Sequence, residues 1–148
     1  MPHFGLMDEK SLGPVDGPLL RARLHLRGGK RRLRQGKISA GIVTLYDALE
    51  AAMEAYDALP GHHAALGFGE HERVTSSRVL YVRLVQKGVF DGSFDFDAFD
   101  RLIETALHQE IEGYDYRSLL AGIEVLMAQI GVMPFDETRL PPEDPKTF

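Results

Sequence analysis

No cysteine occurs among the 148 residues, which removes disulfides, thiolate nucleophiles and cysteine-ligated zinc together and fits a reducing compartment. Long apolar runs are missing as well. None approaches the ~20 residues needed to span a bilayer, so no membrane partner is expected. Residues 1–16 carry Asp8, Glu9 and Asp16 and lack an apolar stretch, unlike a signal or transit peptide, which makes a cytoplasmic location the default. There is no Walker loop and no Gly-x-Ser-x-Gly elbow. Gly67-Phe-Gly69 lacks the third glycine and the preceding strand of a dinucleotide-binding turn. No cofactor is implied.

What remains is ordinary globular material. The length fits one domain. A hydrophobic content of 44% and a charged content of 26% allow a conventional core without a metal or disulfide staple. Acidic residues exceed basic ones, for a formal net charge of -5, but the two signs are segregated. Eight basic residues and no acidic one lie between positions 17 and 46, whereas seven acidic residues and Arg101 alone occupy 95–115. Such segregation either pairs one part of the fold with another or leaves a basic face for an anionic partner.

Apolar spacing predicts an all-α, up-and-down bundle of about five helices. Residues 1–18, rich in Gly and Pro, read as a loose arm; 19–133 form the bundle; 134–148, with Pro141, Pro142 and Pro145, read as an extended tail peeling away from it. Leu19, Ala22, Leu26 and Leu33 make a thin first stripe weakened by Gly28-Gly29. The stripe from Ile38 through Leu45 and Leu49 to Tyr56 predicts the longest and most buried helix over 38–59, ended by Pro60-Gly61. Further helices are expected over 73–87, from a cap at Ser93 or Asp95 with Phe96, Phe99, Ile103, Ala106 and Leu107 inward, and from a cap at Asp115. A thin first helix leaves apolar surface uncovered, which predicts a homodimer.

Three groups of residues could carry chemistry. Arg101 and His108 lie two turns apart on one helical face with Glu104 and Glu112. An arginine that stabilises phosphate charge beside a proton-moving histidine suits metal-free RNA cleavage, but the same residues also read as ordinary surface pairs. His62, His63 and His71 with Glu70 and Glu72 have neither of the helical metal-binding spacings; the expectation is a solvated loop and no metal. Arg23, Arg27, Lys30, Arg31 and Arg34 share one helical face, the footprint for a nucleotide or RNA phosphate backbone. No aromatic residue interleaves them for base stacking, and their alternative is a solvated face that neutralises the acidic fourth helix.

The order of motifs resembles the HEPN superfamily of helical bundles. Gly36-Lys-Ile-Ser-Ala40 is similar to its G-x-x-x-A hairpin turn, and Tyr46 with the small and apolar residues after it is similar to its second helix. Arg101-x6-His108, followed by Tyr114 and Tyr116, is similar to its arginine–histidine motif and the tyrosine that leads into the last helix. The resemblance covers roughly 20–130 and implies a dimer, with Arg101 and His108 facing their symmetry mates in a metal-independent ribonuclease. Leu102 stands where active members carry a polar residue, and six intervening residues is the permissive limit. That departure suits a relative that has lost catalysis and binds a nucleotide, a nucleic acid or a protein partner. The expectation is therefore a non-catalytic interaction module, with the ribonuclease and a purely structural protein as alternatives.

Overall fold

Residues 9–148 are described by a computed structural model. The elements are α1 (Gly13–Arg34), α2 (Ile38–Ala58), the one-turn α3 (His62–Ala65), α4 (Ser77–Gln86), α5 (Phe96–His108) and α6 (Arg117–Gln129), with short 3-10 turns at Glu9–Leu12, Glu137–Arg139 and Pro145–Thr147. Among the described residues there is no strand, and the chain is an all-α helical bundle. No described helix is long and apolar enough to cross a membrane.

The core is built round α2, which touches every other α-helix. Ile42, Leu45, Ala48, Leu49, Ala52 and Met53 are at most 1% exposed, as their helical spacing requires. Gly29 and Gly41 set the closeness of the α1–α2 hairpin. A Cβ at Gly29 would lie 2.9 Å from Leu45 Cδ2, and one at Gly41 would lie 2.7 Å from Leu33 Cδ2. The glycine pair expected to weaken the first helix is thus a packing device at Gly29. The hairpin turn is a Schellman motif: Gly36, at φ +80°, donates to the Leu33 carbonyl, and Lys37 donates to the Arg32 carbonyl.

Several boundaries differ from the spacing argument. Of the expected arm, residues 1–8 lie outside the described residues, but α1 already begins at Gly13 and carries Pro14 in its first turn, where a missing N–H costs nothing. With 22 residues against 21, α1 and not α2 is the longest helix. The helix expected over 73–87 starts only at Ser77, because the Ser76 hydroxyl accepts the Val79 N–H and caps it. Asp95 caps α5 as expected, through the Ala98 N–H. Asp115 sits one residue too early to cap α6; it binds the Arg117 guanidinium and N–H instead, which hold its carboxyl down at about 2. Leu107 is 59% exposed rather than buried: Phe99, Leu102, Ile103 and Ala106 turn the core face away from it in the last turn of α5.

The largest difference is the tail. Residues 134–148 do not peel away but lie back along α1, roughly parallel to it. Their two 3-10 turns are each capped by the aspartate before them, Asp136 and Asp144. Prolines exclude an α-helix here but not a segment held by side chains.

Candidate functional site

Arg101 and His108 project from the solvent side of α5, and both are exposed. The His108 ring lies 3.2 Å from Glu104 across one helical turn, each side chain about three-quarters exposed. Glu112 does not share the face, because α5 ends at His108. The structure thus places the two residues on one side of a helix, but with no wall of other side chains around them.

The histidine stretch is more ordered than a solvated loop. His62 Nδ1 lies 2.9 Å from the Tyr56 carbonyl, and His63 Nδ1 lies 2.8 Å from the Asp57 carboxylate. Phe68, which stacks on His63, is buried, and the Arg83 guanidinium lies over the same Phe68 ring and donates to the Leu66 carbonyl. The hydrogen bond to Asp57 raises the His63 pKa above its ordinary value. His71 stays exposed, and no three carboxylate or imidazole groups among the described residues come together as a metal site.

Two clefts flank Phe94. One, of about 380 Å³, is lined by Arg78, Tyr81, Val82, Val85 and Asp97; the other, of about 360 Å³, by Phe99, Leu102, Tyr114, Gly122 and Val125. Spacing alone did not point to either, although the dense run Phe90, Phe94, Phe96, Phe99 was a usable signal. A shallower hollow of about 610 Å³ brings Gly36 and Ala40 of the hairpin turn together with Glu110 and Tyr114. Ser39 fixes that junction. Its N–H donates to the Glu110 carboxylate, and its hydroxyl bridges the Gln109 carbonyl and the Ile111 N–H. Glu110 thereby supplies negative charge at the N-terminus of α2.

The basic face of α1 is the most elaborated surface, and its contacts are made by the tail rather than by α5. Arg23 Nε donates to the Val132 carbonyl (3.1 Å) and its guanidinium lies over the Phe135 ring. Arg27 donates to the Pro141 carbonyl at 2.6 Å. Lys30 pairs with Glu137 at 3.3 Å and approaches Glu124 of α6 at 3.8 Å. Arg31 Nε pairs with Glu143 at 3.0 Å, under the Phe148 ring. Arg34 lies exposed at the end of the helix. Next to the face, burial and the neighbouring Arg31 charge lower the Arg32 pKa, while Glu143 opposes the shift. The Glu143 carboxylate thus serves both Arg31, as its ion-pair partner, and Arg32, whose charge it favours. Among the acids of the α5 region, Asp97 pairs with Arg78 and Glu104 with His108. The neutralising partner expected of the fourth helix is the tail instead.

No protein-family model, curated protein or solved structure matches the chain.

Proposed function

We propose that this chain is a non-catalytic, HEPN-like interaction module, cytoplasmic and homodimeric, whose contact surface is the basic face of α1 and whose partner is anionic: a nucleotide, a nucleic acid or an acidic protein segment. The observation that carries the reading is the tail. Three of the five face residues, Arg27, Lys30 and Arg31, already grip it through a carbonyl and two carboxylates, and Arg23 lies over its Phe135 ring. Such a row of forked and point cations is suited to oxyanions. Loss of catalysis is supported by the exposure of Arg101 and His108 and by Glu104, which occupies the histidine. General acid–base chemistry on a phosphodiester needs a pocket that positions the reacting atoms. Dimerisation is supported by the exposed Val79 and Val82 on α4 and Val125 on α6, rather than by the flank of α1 from which it was expected.

The test is binding and integrity of single-stranded oligouridylate at low salt with a chelator present. The reading expects weak binding, a log–log salt slope of roughly -0.7 per phosphate contact, loss of binding in R27E/R31E with helicity retained, and intact RNA. Cleavage that H108A stops would replace it with the ribonuclease. No RNA binding at low salt would leave the protein partner alone.

A further inference from the structure

The tail holds the basic face with contacts that differ in kind from those of the core. Val132 is 1% and Ile130 8% exposed, and the Val132 carbonyl accepts from Arg23, so the chain is anchored past the end of α6 as far as Val132. Beyond residue 133 the picture changes: Asp136, Glu137, Thr138 and Arg139 are exposed, as are Pro142, Pro145, Lys146 and Phe148. Phe135 packs, partly buried, against the core, with its ring under Arg23. The contacts that hold the rest of this stretch to α1 include two carboxylate–cation pairs, one carbonyl on Arg27 and a ring over the Arg31 guanidinium. Contacts of this kind at a surface are individually weak and screened by salt. The segment can leave without opening the core.

It is also an imperfect occupant. Arg27 Nε is buried and has no acceptor among the described residues, because the tail offers that guanidinium a single carbonyl. An arginine fork is best met by two parallel bonds from one carboxylate or phosphate. A segment that set an acid opposite Arg27 would satisfy a donor that the tail leaves unpaired.

We propose that the basic face of α1 is a docking groove for an acidic, proline-bearing, extended peptide segment of a partner protein, and that residues 134–148 fill it in cis as a displaceable stand-in. The inference rests on the interaction-module reading and adds the partner's class and the device that controls access. The face selects a peptide by what it already holds: a main-chain carbonyl at Arg27, carboxylates at Lys30 and Arg31, aromatic rings over Arg23 and Arg31. A long phosphate backbone suits it less. Glu124 stands at Lys30, Glu54 holds Arg21 on the same helix, and the whole chain carries -5, so a polyanion meets repulsion on the flanks that a short segment with two acids avoids.

The chain has no tryptophan, so full-length F148W reports on the tail alone from its place over Arg31. Titration with a synthetic peptide of residues 134–148 should give a saturable fluorescence change. E137Q/E143Q in the same chain should tighten apparent peptide binding about two- to thirtyfold, as the loss of two surface pairs competing in cis predicts. R31E should abolish the response, with circular dichroism reporting retained helicity; should R31E fail to fold, R31Q serves for the same loss. Peptide binding seen by calorimetry with no change at F148W would overturn the displaceable tail and leave the module reading intact. Displacement by oligouridylate but not by peptide would overturn the peptide class. Failure of both probes to bind even E137Q/E143Q would sink the module reading itself.

Discussion

Helix α1 has two faces held in opposite ways. Toward α2 it presents Ala22, Leu26 and Leu33, each at most 2% exposed, and Gly29 admits Leu45 to van der Waals contact. Toward the tail it presents arginine and lysine, gripping carboxylates, carbonyls and rings. The first face is steric and apolar, insensitive to salt and intolerant of added volume. The second is electrostatic, tolerant of added volume and sensitive to salt. The difference teaches that the fold and the control of the basic face are separable: one can be perturbed without the other.

The largest effect should come from the apolar side. L45A or L49A removes a leucine that is at most 1% exposed and should cost about 2–5 kcal/mol in urea unfolding. A cost under about 1 kcal/mol at both positions would remove α2 from the centre of the core. The glycines sharpen the contrast at smaller scale. G41A places a Cβ 2.7 Å from two Leu33 side-chain atoms and 3.1 Å from its backbone nitrogen, so overpacking of about 1–3 kcal/mol should outweigh the gain in helix propensity of about 1 kcal/mol. G28A looks toward the tail, with its nearest neighbours at 3.6 Å or more, and should be neutral or stabilising by up to about 1 kcal/mol. Equal destabilisation by both would erase the distinction between the faces.

The smallest effect belongs to the His63–Asp57 pair, which ties α3 to α2. The His63 pKa is raised in the folded state by its hydrogen bond to Asp57. Its contribution is therefore fully present below the unfolded value of about 6.5 and fades as pH rises through the raised folded value. Urea midpoints should fall slightly from pH 6 to pH 8, and D57N should flatten that trend. An unchanged trend in D57N would assign it to other groups.

Much of the helical frame was legible because period and punctuation agree. The apolar stripe of α2 is unbroken, and Pro60-Gly61 follows it, so its ends fall within a residue of expectation. Where apolar residues continue past a boundary, spacing misleads: Val74 extends the pattern of α4 upstream of its capping serine. The order of the histidine stretch was hidden because Asp57 and His63 meet across a turn, six residues apart, a separation with no helical meaning. The tail was the least legible part. Segregated charge says that acids and bases will meet, but not which ones. The density of acid in 95–115 pointed to α5, whereas two glutamates in a proline-rich segment, 107 and 112 residues from their partners, do the neutralising. Pairings that distant depend on where α6 delivers the chain, which no local pattern encodes.

The claim that charge holds the tail on α1 is tested most directly by a spin label on the tail. In a chain without cysteine, K146C takes a single label, whose broadening of backbone signals near Arg31 measures docking. At low ionic strength the signals around Arg27 and Arg31 should be strongly broadened. At about 1 M salt, where screening acts within about 3 Å, they should recover while the signals of α2 keep their folded positions. Broadening that persists unchanged at high salt would contradict the account, as would its absence at low salt.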